Sequence, residues 1–288
     1  MTVQPPAPTC VRHPNRPTGL ACTRCGRPSC PECLRPASVG QHCVDCLRQG
    51  QRDVAPVRTV AGAPAPRASL PFVTYALIAI NVAVFAVTAA QSQSLVDNQV
   101  SRLFVRWVLY PPAVADGQWW RVLGSGFLHY GPIHLLLNMF ALYVIGRDAE
   151  LVLGRLRYLS VYLVSLLGGG AAVMVFAQDS ATAGASGAVY GLFGAITVIL
   201  IRLRQNPNQM LILIAINVFI SFSLPGISLW GHLGGLAAGT LATLGILFLP
   251  GWLRAKSPQA ARLIGWAAVA VVALVSVAVT GATAMSLT

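Results

Sequence analysis

The sequence predicts an all-α polytopic membrane protein that carries a small cysteine-rich domain at its N-terminus. Three observations predict this. Of 288 residues, 55% are hydrophobic and only 10% are charged. The apolar residues gather into seven runs, near 71–91, 133–153, 156–176, 185–202, 209–224, 228–249 and 262–284, most of them close to the roughly 20 residues that cross a bilayer as a helix. All seven cysteines fall between residues 10 and 46. The expected organisation is a head at 1–49, a linker at 50–70, a six-helix core at 71–250, and a seventh helix with its tail at 251–288.

The head is built from four short pairs: Cys10 with His13, Cys22 with Cys25, Cys30 with Cys33, and Cys43 with Cys46. A two-residue gap lets both side chains of a tight turn reach one metal, and two such pairs complete a tetrahedral site. Seven cysteines and one histidine make eight ligands, enough for two structural Zn2+ ions, with His42 as a spare. Spacing does not decide whether the pairs combine sequentially or interleaved. The competing reading is a disulfide framework. The head resembles small treble-clef and B-box-like zinc domains, and such a short segment would draw much of its folding energy from metal. It lacks aromatic-basic interleaving, so a cytoplasmic protein partner is expected rather than nucleic acid. Residues 50–70, "GQRDVAPVRTVAGAPAPRASL", have the Pro, Ala and Gly content of a flexible linker.

Orientation follows from the basic residues. Nine of the 20 Lys and Arg precede the first run, and eight lie in the connections holding Arg147, Arg155 and Arg157, then Arg202 and Arg204, then Arg254, Lys256 and Arg262. With the N-terminus in the cytoplasm all seventeen are internal. Only Arg102, Arg106 and Arg121 fall in the long external loop. The expected location is the plasma membrane, multi-pass, N-terminus inside and C-terminus outside. Residues 1–69 contain no apolar h-region, so no cleaved signal peptide is expected. A reducing cytoplasm disfavours the disulfide reading of the head. An anionic inner leaflet accounts for the net charge of +12 without a nucleic-acid partner.

Polar groups inside spans are costly, and here they share one depth. His134 and Asn138 are four residues apart on one face of the second span; Ser186 opens the fourth, with Tyr190 one turn on; His232 lies one turn into the sixth. All three spans begin at the external surface. Serine, two histidines, an asparagine and a tyrosine are the groups that acyl transfer needs: a nucleophile, a base to take its proton, and donors for an oxyanion. Gly231, Gly235 and Gly239 form a small-residue face on the sixth span, and Gly187, Gly191 and Ala195 a matching one on the fourth, so these helices can approach closely. None of the eight carboxylates lies within a span near His232, which points to a Ser–His dyad with Tyr190 packed on the imidazole. No cofactor is expected for catalysis. Taken singly, a serine in a glycine-rich helix is a packing residue and a membrane histidine a structural one; their joint placement carries the catalytic reading.

These residues resemble the rhomboid intramembrane serine proteases over about residues 70–250. "GASGAVYGLFGA" (184–195) matches that family's GxSG motif with a tyrosine four residues on. "HYGPIHLLLNMFAL" (129–142) matches its HxxxxHxxxN pattern at His129, His134 and Asn138. "WGHLGGLAAG" (230–239) matches the motif carrying the base, and "GQWWRV" (117–122) resembles the Trp-Arg motif of the external loop. The resemblance implies a bundle of six helices plus one, with Ser186 as nucleophile, His232 as general base, and His134 and Asn138 lining the oxyanion hole. Trp120 and Arg121 would stabilise the external loop, His129 would support entry into the second helix by hydrogen bonds, and Arg147 and Glu150 would be structural. The implied substrates are single-span membrane proteins cut near the outer face, with the fifth span as a gate. The alternative is a catalytically silent scaffold of the same fold with a protein-binding zinc head. A transporter would show midplane ionisable residues and inverted repeats, which the sequence lacks.

Overall fold

The computed structural model describes residues 7–53, 59, 61–62 and 70–288, which fall into two units parting between residues 57 and 58. In the first, β1 (Thr9–Cys10) pairs antiparallel with β2 (His13–Pro17), β3 (Leu34–Pro36) pairs antiparallel with β4 (Gln41–Cys43), and a helix follows over Val44–Asp53. Gly26 (φ 73°) and Gly40 (φ 67°) supply left-handed turn conformations that other residues adopt at a cost. The small core consists of six of the cysteines, all but the exposed Cys25, with Leu34 and Val44. The terminal helix runs to Asp53, past residue 49, and most of the expected 50–70 linker lies outside the described residues.

Among the described residues the second unit's seven long helices, apart from shorter ones in the connections, are numbered here α1 (Phe72–Ser92), α2 (Gly131–Leu153), α3 (Arg155–Phe176), α4 (Ser186–Arg202), α5 (Asn208–Ser223), α6 (Leu229–Leu247) and α7 (Pro258–Leu287). They coincide with the seven apolar runs of the sequence to within a few residues. Three of them, α1, α3 and α7, are long and apolar enough to cross a membrane alone; α2 meets that test as a pair with Arg121–Phe127, from which it bends by 92°. One π-helical turn, Leu142–Gly146, interrupts α2.

The short helix α4 is the centre of the bundle. Every residue from Ala188 to Ile199 is buried, so protein rather than lipid surrounds it, and an all-round apolar sequence suits that position. Backbone-to-backbone packing brings α6 against it. A Cβ at Gly239 would sit 2.5 Å from the Gly191 carbonyl oxygen, one at Gly191 would sit 2.8 Å from the Gly235 oxygen, and one at Gly235 would strike the Gly187 backbone. The opposite side of α6 meets α3 in the same way: a Cβ at Gly169 would lie 2.7 Å from the Gly231 oxygen, and one at Gly168 2.9 Å from the Gly234 oxygen. Small residues thus let α6 lie between α3 and α4, the packing that membrane helices use where burial of apolar area no longer drives association. The last helix, α7, packs on α3 and α6, with Ala268 at Gly245 and Gly265 at Ile246.

Two polar devices hold the ends. The Glu150 carboxylate, 3% exposed, accepts from the Val73 and Thr74 amides (3.0 and 2.8 Å) and from the Thr74 hydroxyl (2.8 Å). It therefore caps the first turn of α1 from the end of α2, satisfying amides that have no intrahelical acceptor. In the segment between α1 and α2, the Arg121 guanidinium donates to the Val105 and Val108 carbonyls, both at 2.8 Å, and to Gln118 Oε1 at 2.9 and 2.7 Å, while Trp120 Nε1 donates to the Arg106 carbonyl at 3.1 Å. These bonds fold the loop onto itself.

Candidate active site and metal centres

The stretch before α4 is clamped before the helix begins. Leu109 and Thr182 exchange backbone hydrogen bonds of 3.0 and 2.8 Å, and the Gly184 amide donates to the Ser125 carbonyl at 3.0 Å. Ser186 is then the first residue of α4, where amides still lack intrahelical acceptors and the helix dipole favours negative charge. On α6, Ser228 caps the start by accepting from the Gly231 amide at 3.2 Å, and His232 follows within the first turn, 7% exposed. His232 Nε2 and Ser186 Oγ are 2.8 Å apart. The Tyr190 ring stacks on the imidazole with centroids 4.0 Å apart and planes 13° from parallel.

One partner was not anticipated. His232 Nδ1 lies 2.7 Å from Ser221 Oγ on α5, and the same oxygen is 2.8 Å from the Tyr190 hydroxyl. Ser221 is the single buried residue of α5. The signal available in the sequence was faint: Asn217 and Ser221 are four residues apart in an otherwise apolar helix.

From α2, His134 Nδ1 accepts the Tyr130 amide at 3.2 Å, and the His129 ring meets the His134 ring edge-on at 5.2 Å. His129 contributes a hydrogen bond through its carbonyl, which accepts from Asn98 Nδ2 at 2.8 Å, while Asn98 Oδ1 accepts from the Gly131 amide at 2.9 Å. Asn138, 6% exposed, turns its amide back to the His134 carbonyl at 3.0 Å. Gly184 keeps the space between these groups and the serine open. Its φ of 136° suits only glycine, and a Cβ there would sit 3.0 Å from His134 Nε2 and 3.4 Å from Ser186 Oγ. The cleft lined by Ser125, Gly184, Ser186, Ser228 and His232 offers about 30 Å³ in which the centre of a water molecule can sit, room for one or two waters.

In the head, the ligand atoms fall into two groups, Cys10, His13, Cys30 and Cys33, and Cys22, Cys25, Cys43 and Cys46, each with its ligand atoms within 4.8 Å of one another. The four pairs are therefore interleaved, first with third and second with fourth. His42 lies on β4 opposite Arg35 and belongs to neither group. The His13 Nδ1 to Cys30 Sγ and Cys33 Sγ distances are both 3.4 Å, and Cys25 Sγ to Cys43 Sγ is 3.8 Å. Four ligands placed tetrahedrally on zinc would stand about 3.5 Å (S to N) and about 3.8 Å (S to S) apart. The donor set and its spacing fit a zinc-binding domain. The Cys30 amide draws Cys10 down to about 6, whereas burial pushes Cys33 up to about 11.

Residues 116–249 match the rhomboid domain family. The chain is 36% identical to the rhomboid protease GluP of Bacillus subtilis over 134 residues, which is 45% of this chain and 26% of that protein. It is 36% identical over 138 residues to the putative rhomboid protease YdcA of the same organism, 46% of this chain and 69% of YdcA. A third relative, rhomboid-type serine protease 2 of Emericella nidulans, is 35% identical over 170 residues, 54% of this chain and 33% of that protein. Fold, motifs and relatives agree: this is a polytopic membrane protein of the rhomboid type. The chain belongs to the rhomboid family, although it spans only about a quarter of GluP and a third of the Emericella protein.

Proposed function

We propose that the chain is an intramembrane serine endopeptidase, with Ser186 as nucleophile and His232 as general base. The observation that supports it most directly is the 2.8 Å approach of Ser186 Oγ to a buried imidazole nitrogen across two helices. As Oγ attacks a peptide carbonyl carbon, Nε2 takes its proton; the tetrahedral intermediate collapses with cleavage of the C–N bond, and the same proton passes to the leaving amine. Water then attacks the acyl ester by the same route. The oxyanion is met by the Ser186 amide at the helix start and by His134. Because His134 Nδ1 accepts the Tyr130 amide, its proton sits on Nε2, the nitrogen facing Gly184 and Ser186. His134 is thus a donor and His232 an acceptor. Tyr190 orients the base by stacking, and Asn138 supports the His134 turn.

In this reading residues 71–250 form the protease core, and residues 251–288 add a helix outside the dyad. The chain sits in the plasma membrane, N-terminus inside and C-terminus outside, with the dyad in the outer half of the bilayer. Its substrates are single-span proteins whose helix unwinds near the outer face. The small cleft does not hold a peptide segment, so entry requires a helix to move; α5, in which Ser221 alone is fully buried, is the one we assign as gate. The head holds two structural zinc ions and serves a cytoplasmic protein partner; catalysis itself uses no cofactor. The test is labelling of detergent-purified protein by a fluorophosphonate, together with cleavage of a transmembrane peptide. Wild type should label and cleave, whereas Ser186→Ala and His232→Ala should do neither. Folded wild-type protein that binds the peptide yet neither labels nor cleaves would make the chain a silent scaffold.

A further inference from the structure

We infer that Ser221 is a positioning residue that fixes the proton of His232 on Nδ1 and so ties the state of the base to the seating of α5. The inference rests on the protease reading of Ser186 and His232. It follows from counting protons around one oxygen. Ser221 Oγ lies 2.7 Å from the Asn217 carbonyl, which can only accept, so the single hydroxyl proton points there. The two other neighbours of the oxygen must then donate to it: the Tyr190 hydroxyl at 2.8 Å and His232 Nδ1 at 2.7 Å. With its proton on Nδ1, His232 presents a bare Nε2 to Ser186 Oγ at 2.8 Å. That is the tautomer a general base needs. The opposite one would aim an N–H at the nucleophile and leave no site for its proton.

In a three-residue relay a carboxylate normally performs this service, and loss of the right tautomer there is more damaging than loss of a contact. Here a neutral hydroxyl does it, polarised by a backbone carbonyl and supported by a tyrosine that also stacks on the ring. The donor of this oxygen matters for motion as well. Ile212, Ile216, Phe219 and Phe222 of α5 are all more than half exposed, while Ser221 is 4% exposed. Met210, Ile214 and Val218 lay α5 against the core, and Ser221 is the α5 residue that hydrogen-bonds the base. When α5 swings out, Nδ1 loses its acceptor, and the base is set again only when α5 returns.

The experiment uses the full chain in detergent, with kcat and KM measured on a transmembrane peptide. Ser221→Ala is expected to lower kcat by about 10- to 100-fold, from one buried N–H left unpaired beside the reacting atoms, with KM little changed. Ser221→Thr keeps the hydroxyl and should recover most of the rate. Tyr190→Phe keeps the stacked ring and should lose less than Ser221→Ala. In parallel, 15N NMR of histidine-labelled protein, with the His232 signals assigned by His232→Ala, should show Nδ1–H in wild type and a tautomer mixture in Ser221→Ala. A wild-type Nε2–H signal, or full kcat in a folded Ser221→Ala, overturns the inference. The NMR readout needs no turnover, so a chain that neither labels nor cleaves would defeat the protease reading while the tautomer still decides the role of Ser221.

Discussion

The head and the bundle both gather polar side chains, but they hold them in opposite ways. In the head, seven thiols and an imidazole converge in two groups, and these ligands are most of what the head has for a core. In the bundle, the polar groups of the site are paired one to one with neutral neighbours: Tyr130 with His134, Ser221 with His232, and His232 with Ser186. Around them stands an extensive apolar core with α4 buried at its centre. The difference teaches that, with zinc bound as proposed, one region owes its order to a charge brought from outside and the other to packing and neutral hydrogen bonds. They should therefore fail under different insults.

The largest expected effect is metal removal. Structural zinc contributes apparent free energies on the order of 10 kcal/mol in small domains, far beyond what two short sheets and one ten-residue helix supply. Treatment with a strong chelator should unfold the head, read as fast amide exchange and tryptic cleavage at Arg12 and Arg24, while fluorophosphonate labelling of Ser186 persists. Amide protection that survives chelation would remove the contrast. Next comes an insult to packing alone. In Gly235→Val the new side chain would meet the Gly187 backbone, which has no flexible end to yield. Overpacking of this kind costs about 3 kcal/mol, the upper part of its usual range. Thermal unfolding in detergent should drop accordingly, labelling should fall as α4 and α6 part, and the metal content of the head should stay the same. Val at Gly251, where nothing lies within 4 Å of a Cβ, is the control.

Much of this contrast could be read from the sequence. Hydropathy placed all seven helices, because a bilayer length is a one-dimensional property. The glycine faces of α4 and α6 were visible as four-residue repeats, and the ligand pairs as two-residue gaps. What escaped were choices between partners. Gly168 and Gly169 stand plainly in "LLGGGAA", yet only the bundle shows that they receive α6. Four ligand pairs allow several groupings, and the interleaved one is fixed by how β2 and β4 fold back. Ser221 was the hardest, since a serine in an apolar helix has no period to betray it; its role depends on the rotation of α5 and on a histidine that reaches it across a loop.

The smallest expected effect sharpens the comparison within the bundle. His134 and Asn138 were expected to serve the oxyanion together, but their geometry differs. His134 has its Nδ1 occupied by the Tyr130 amide and its Nε2 toward the serine, whereas Asn138 already spends an amide hydrogen on the His134 carbonyl. An amide nitrogen has two hydrogens, so Asn138 retains one for the oxyanion or a water. Removing a committed oxyanion donor costs about 10²- to 10³-fold in kcat; His134→Ala should fall in that range. Asn138→Ala removes a shared donor and a local brace, worth about 1 kcal/mol or roughly tenfold at most. The measurement is kcat for both variants on one transmembrane peptide, with labelling rates as a second scale. If Asn138→Ala loses as much as His134→Ala, its amide must leave the helix backbone during turnover, and the bundle would share with the head the need to rearrange around an incoming charge.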